Sequence, residues 1–225
     1  MNGGELREGR KQRGWTQTDL AGRLGVSQGY VCLLERDQRP VPAAMAQKVA
    51  RVLGLPATAL PLDSTAAPLG DDAATTALAT LGYPGFAYRR RRQGLNPAEV
   101  LLRALKATDL DARVVEALVW VALTYANLDW EWLLRQAKLD DLQNRLGFLV
   151  TVARQLAERR GNAEAVARLA QAEHALEYSR LQREDAFRSS MTEAERRWLR
   201  RHRSSEATRW NVLTNLNATE LARGF

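Results

Sequence analysis

In the segment 16–35, TQTDLAGRLGVSQGYVCLLE, Leu20, Ala21 and Leu24 fall at helical spacing, and Val31 and Leu34 resume that spacing after a break at Gly25. Thr16 and Ser27 stand where N-caps belong, each offering a side-chain oxygen to an otherwise orphaned backbone N–H. Gly25 supplies the positive φ that a sharp turn between helices needs. Val26 then drops into the angle between them. The pattern predicts two short helices about a tight turn, with Gln28, Gly29, Tyr30 and Leu33 on the outward face of the second. A helix of that size fits the major groove of DNA.

Beyond residue 55 the pattern changes. Residues 56–82 are rich in Ala, Thr and Pro, and read as a linker with one short helix around 73–81. YPGFAYRRRRQGLNP follows, where Tyr83, Phe86 and Tyr88 suit a segment that partly docks. From Asn96 onward the periodicity is helical, opening on a cap followed by a proline. VVEALVWVALTYA (114–126) is mostly apolar and reads as the centre of the core. DWEWLLRQAKL, DDLQNRLGFLVTVARQLAERRG and a long amphipathic helix over 162–187 come next, then MTEAERRWLRRHR and SSEATRWNVLTNLNATELA. No β alternation is convincing, although a short winged hairpin near 139–144 stays open. The fold class is all-α. Its expected parts are a DNA-binding domain at 1–55, a linker with an Arg-rich segment at 56–95, a larger helical domain for dimerisation or partner binding at 96–188, and a basic helical tail at 189–225.

Residues 4–55 resemble the lambda-repressor/Cro-like helix-turn-helix regulators, the XRE family. The likeness is carried by RKQRGWTQTDLAGRLGVSQGYVCLLER and PVPAAMAQKVARVLGL, and covers about a quarter of the chain. It implies a five-helix domain and gives several residues roles. Gln17 would meet a phosphate through its side chain and backbone N–H, assisted by the helix dipole. Ser27 would cap the recognition helix or touch phosphate. Gln28 would read an adenine edge in bidentate fashion, and Leu33 would meet a thymine methyl. Lys11, Arg36 and Arg39 are phosphate candidates, and Tyr30 either packs or contacts DNA. Arg10 and Glu35 pair inside the domain. The sequence departs from the family at Asp37, where a Gly is usual, and at Gly29, where many members place a base-reading side chain. The implied partner is a pseudo-palindromic operator read by a homodimer, and the implied location is the cytoplasm.

Charge is unevenly spread within the net +7. Residues 1–55 carry +4, the four arginines of 89–92 add +4, residues 93–187 carry −2, and residues 188–225 carry +4. The basic excess thus lies at the reader, the arginine run and the C-terminal stretch, which suits ends that meet polyanions and a middle that meets protein. The arginine run could track DNA backbone or bind an acidic partner.

Catalysis finds little support. His174 and His202 lack ligand-like spacing, so no metal or cofactor is expected. There is neither a Gly-rich phosphate loop nor a nucleophile elbow. Asp140/Asp141 and Glu184/Asp185 read as helix-start and surface charges. Cys32, the single cysteine, reads as a small packing residue. No apolar run reaches the roughly eighteen residues of a membrane span, and the N-terminus lacks the h-region of a signal peptide. Trp120, Trp130 and Trp132 form either buried core or a small-molecule pocket.

A second, looser resemblance covers LDWEWLLRQAKLDDLQNRLGFLVTVARQL. It is similar to a segment of antitoxins that pair with nucleotidyltransferase toxins of the abortive-infection type, through Asp129-Trp130 and Arg145-Leu146-Gly147-Phe148-Leu149. That likeness implies a toxin-binding surface at Asp129, Trp130, Arg145 and Phe148, with Arg197 and Arg201 of the basic tail covering the toxin. Gly147 could equally serve close helix packing, and Arg145 an internal pair. Three functions follow: an autoregulating repressor that is also an antitoxin, a ligand-responsive repressor, and a plain dimeric repressor.

Overall fold

A computed structural model of the 225-residue chain describes residues 1–89, 94–125 and 127–222. It divides into two compact units, residues 1–63 with 94–96, and residues 64–89 with 97–222.

The first unit contains α1 (Gly3–Gln12), α2 (Gln17–Leu24), α3 (Gln28–Glu35) and α4 (Ala43–Leu53). Where a fifth helix was expected there is one 3-10 turn, Ala57–Ala59, because Pro56 sits just ahead of it and the chain extends again at Leu60. The starts of α1 and α2 are closed by capping boxes, Asn2 with Glu5 and Thr16 with Asp19. Gly25 and Gly54 end α2 and α4 in the left-handed conformation, at φ 70° and 68°. Leu6, Leu20, Leu24, Val31, Leu34 and Val49 meet in the core. Asn96 ties the returning chain to this unit, its amide donating to the carbonyls of Thr58 at 2.9 Å and Leu60 at 2.8 Å.

The second unit begins within the stretch that composition marked as linker. Its α5 (Asp71–Leu81) buries Ala74, Leu78 and Ala79 against α6 (Pro97–Leu105) and α7 (Ala112–Thr124). The Ala and Thr content that looks like linker composition here allows close packing, since small side chains let neighbouring helices approach. The hydroxyls of Thr75, Thr76 and Thr80 donate to carbonyls four residues back, which removes their need for water. Residues 84–89 form a kinked 3-10 segment. Arg89 pairs with Asp72, while Arg90, Arg91 and Arg92 lie outside the described residues.

α8 (Trp130–Leu139), α9 (Gln143–Arg159) and α10 (Ala163–Glu177) follow. The residues 139–144 form the end of α8 and start of α9, with no hairpin. The centre of the core is α9 and not the more apolar 114–126 segment, because α7, α10 and the C-terminal stretch all pack on it. The long helix expected over 162–187 stops at Glu177. Buried Asn144 explains the stop: its amide donates to the carbonyls of Leu181 and Arg183 and its oxygen accepts from the Leu181 N–H, holding the chain extended.

The expected tail is not a tail. β1 (Asp185–Ala186) pairs in parallel with β2 (Val212–Leu213), and α11 (Glu193–His202), α12 (Ser205–Arg209) and α13 (Ala218–Leu221) complete the unit. Trp210 is fully buried, and its Nε1 donates to Thr151 Oγ1 at 2.7 Å. A Cβ on Gly147 would collide with the Trp210 ring, so the glycine in α9 is the seat for that indole. Thr151 passes the chain on to Glu173 at 3.0 Å, and Arg154 and Arg209 clamp the Glu173 carboxylate at 2.6 and 2.5 Å. Of the helices α11, α12 and α13, α11 is the one with no buried residue. Among the described residues no helix is long and apolar enough to cross a membrane.

Candidate nucleic-acid interface

The recognition geometry starts from a buried ion pair. Arg10 of α1 donates to Glu35 at the end of α3 through Nε at 2.6 Å and Nη2 at 3.0 Å, while its Nη1 donates to the Trp15 carbonyl at 2.6 Å. The two side chains are 11% and 3% exposed. Burial pushes the Glu35 carboxyl up, but the hydrogen bonds from Arg10 and Gln17 outweigh it and hold the group below its ordinary value. The Glu35 hydrogen bond also raises the Arg10 guanidinium above its own ordinary value. Arg10 and Glu35 thus pair internally, fixing α1 to α3.

Gln17, the first residue of α2, donates its Nε2 to Glu35 Oε2 at 2.9 Å. Its Oε1 accepts from Gln28 Nε2 at 2.6 Å. The Gln17 side chain is therefore already engaged at both ends, unlike the free phosphate ligand expected of it. Its backbone N–H, at the helix start, keeps the direction suited to an anion. Gln28, at the start of α3, is exposed. With one amide N–H directed to Gln17, it retains a carbonyl and a second N–H, the donor–acceptor pair that an adenine edge complements.

The remaining candidates fall around that amide. Ser27 uses its oxygen to cap α3, accepting from the Tyr30 N–H at 3.2 Å. Gly29 is exposed, and a Cβ there would meet nothing within 4 Å, so neither space nor φ demands a glycine; it leaves room beside Gln28. Leu33 is 36% exposed. Tyr30 is partly buried against the core, and the Arg39 guanidinium lies 5.7 Å from its ring. Arg36 and Lys11 are exposed.

Asp37 resolves the departure from the family pattern. It adopts φ 54°, the left-handed region where glycine is usual. Its Oδ1 accepts from the Gly3 N–H at 2.6 Å, so the carboxylate also caps the first turn of α1. Gly3 itself must lack a Cβ because the end of α3 presses on it at Leu34 and Glu35. The sequence reading missed two further supports. Lys48 Nζ donates to the Leu24 carbonyl at 2.6 Å and so satisfies the end of α2. Arg23 lies 4.0 Å over the Trp15 ring. The first joins two helices and the second joins α2 to the turn before it, contacts that periodicity alone does not reveal.

The residues matched to the antitoxin segment are mostly internal. Asp129 caps α8, accepting from the Trp132 N–H at 2.9 Å. Arg145 binds Asp185 at 2.8 Å and donates to the carbonyls of Leu105 and Ala107. Phe148 is fully buried against Phe187. Arg145 and Phe148 therefore hold the unit together, and neither offers a free face. Trp130 is half-buried, with its Nε1 enclosed and without a hydrogen-bond partner among the described residues. Arg197 and Arg201 are exposed on α11. Trp120 packs edge-on to Tyr83 and Tyr125, at 5.5 and 6.1 Å. His174 sits edge-on to Tyr178, and His202 stacks on Trp198.

No curated protein and no solved structure matched the chain. Residues 6–60 match the family model described as helix-turn-helix, which spans α2, the Gly25 turn and α3. The N-terminal domain is a lambda-repressor/Cro-like helix-turn-helix of the XRE family, and the protein is a DNA-binding transcription regulator.

Proposed function

We propose that this regulator is a repressor that acts as a homodimer on a pseudo-palindromic operator, including one at its own promoter. The observation that carries the reading is the chain Gln28–Gln17–Glu35–Arg10, which holds the outward amide of α3 in one orientation before DNA arrives. Fixing a rotamer-rich side chain in advance lowers the entropy cost of recognition. Gln28 reads a base edge, with Leu33 beside it on the same helix. Ser27, Tyr30, Arg36, Arg39 and Lys11, with the Gln17 N–H, position the phosphate backbone. Gly29 keeps the approach to the base open. One such helix makes few base contacts, so two copies on half-sites about one helical turn apart supply the specificity. Footprinting on the protein's own promoter tests this: two protected half-sites per dimer support it, while a single unpaired site or no protection contradicts it.

A second reading, an autoregulating antitoxin, rests on α11. That helix keeps Arg197, Arg201 and the 51% exposed Trp198 at the surface without burying any residue, a composition suited to an acidic protein partner. Since Arg145 and Phe148 are internal, a toxin would be held at α11 and Trp130, with Asp129 setting the start of α8. Co-expression with the neighbouring genes tests it. A stoichiometric complex lost on Arg197→Glu with Arg201→Glu supports the reading, and a clean homodimer contradicts it.

A further inference from the structure

The second unit contains a cavity of about 320 Å³ that lies away from the Trp120 and Trp130 neighbourhood. Its volume is at the lower end of ligand pockets, which run from about 300 to 1,000 Å³. Leu110 and Val115 beside α7, Phe187 after β1 and Leu213 of β2 form its apolar floor. Met191 and Leu199 form a wall on the α11 side. Leu199 belongs to α11, which buries none of its residues and is held to Glu184 by Arg200 at 2.9 and 3.0 Å, while Met191 lies just ahead of that helix. The segment leading to it is tied back to the 108–110 stretch: Asp109 accepts from the Ser190 N–H at 2.9 Å and from the Ser189 hydroxyl at 3.0 Å, and the Ser189 N–H donates to the Thr108 carbonyl at 2.8 Å. These hydrogen bonds, the Ser190 one foremost, hold the Asp109 carboxyl down at about 2.

The charges at the mouth are unequal. Glu116 of α7 is half-buried and, among the described residues, its carboxylate has neither a hydrogen bond nor an ion pair. Burial foremost pushes its carboxyl up, with Asp111 and Glu220 adding to the rise against Arg113. Glu220 of α13 brings a second carboxylate to the same mouth. Arg188, the one cation lining it among the described residues, is exposed and already lies close enough to Glu195 to lower that carboxyl. An apolar floor with two carboxylates above it, neither in an ion pair among the described residues, suits a ligand with a greasy body and a positive head.

We infer that this cavity binds a hydrophobic organic cation, its apolar body on the Leu110–Val115–Phe187–Leu213 floor and its ammonium against Glu116 and Glu220. The head gives Glu116 an ion pair that it has with no described residue, and the body removes apolar surface from water. The binding concerns the second unit alone and stands apart from the DNA-reading proposal.

Calorimetric titration of the full chain with three probes of one shape tests it: 4-phenylbutylamine, 4-phenylbutan-1-ol and 4-phenylbutyrate. The amine is expected to bind about tenfold tighter than the alcohol, a difference of one ion pair's worth, and the carboxylate not at all. Glu116→Gln should narrow the amine's advantage, and Glu116→Gln with Glu220→Gln should bring the amine down to the level of the alcohol while leaving alcohol binding in place. Met191→Trp should abolish both by filling the cavity. An amine that binds no better than the alcohol, a preference left whole by Glu116→Gln with Glu220→Gln, or tighter binding of the carboxylate would each overturn the assignment. Because Glu116 has no partner to lose, Glu116→Gln is expected to melt no lower than the parent. A parent chain that binds none of the three probes overturns the assignment as well.

Discussion

Gln28 Nε2 donates to Gln17 Oε1 at 2.6 Å, so the residue proposed to read a base is held by the residue that opens the preceding helix. Gln17 is held in turn by Glu35, and Glu35 by Arg10. The line from the domain interior to the recognition surface is continuous in hydrogen bonds. On the proposed reading, specificity at Gln28 depends on residues whose side chains are engaged inside the domain.

Gln17→Ala tests that dependence. The variant should fold, because Arg10 still satisfies Glu35, but Gln28 becomes free to rotate. Operator binding should fall by about 0.5–1.5 kcal/mol per half-site, the net worth of one hydrogen bond. Fluorescence anisotropy against operator and scrambled duplexes measures it. Equal losses on both would mean that Gln17 acts only on the backbone.

Arg39→Ala should behave differently. The guanidinium beside Tyr30 would meet phosphate, so its removal should weaken specific and random DNA alike and lower the salt slope by about 1. A slope unchanged over a salt titration would take Arg39 out of the interface.

Glu35 links the reader to pH. Its folded carboxyl ionises more readily than an unfolded one. The stability it contributes is full above the unfolded carboxylate value of about 4.3 and is lost as pH falls through the lower folded value. Glu35→Gln leaves Arg10 enclosed without its counter-charge and should cost about 3 kcal/mol at pH 7. In urea denaturation the gap between the variant and the parent should narrow as pH falls below the unfolded carboxylate value. A gap independent of pH would show that the ion pair is not its source.

Gly147→Ala should destabilise the second unit by about 1–3 kcal/mol through overpacking, because the new methyl collides with the fully buried Trp210. Adding Trp210→Leu should recover part of the loss, a coupling that a double-mutant cycle in urea exposes. Full stability of Gly147→Ala alone would mean that the indole is not seated there.

The reader was legible in the sequence because its determinants are local. Thr16, Gly25 and Ser27 each act within three residues of themselves, through caps and one left-handed turn. Arg10 with Glu35 could be read from the family resemblance. The Gln17–Gln28 bond could not, since it joins two helices across eleven residues and diverts a side chain that the resemblance sends to phosphate. The second unit was less legible for the same reason. Its apparent linker is a helix of small residues, and its apparent tail is anchored by Trp210 in a notch made by Gly147, 63 positions earlier in the chain. Asn144 ends a helix pattern from outside that helix. Composition reports none of these long-range partners.

The central claim is that α3 reads DNA through the amide of Gln28. The most direct measurement is selection of bound duplexes from a randomised pool, run in parallel for the parent chain and for Gln28→Ala. The account predicts inverted half-sites about one helical turn apart, with one adenine position in each whose preference disappears in the variant, at a cost of about 1–3 kcal/mol per half-site. The same sequence preferences in both selections, or no enrichment by the parent chain, would contradict it.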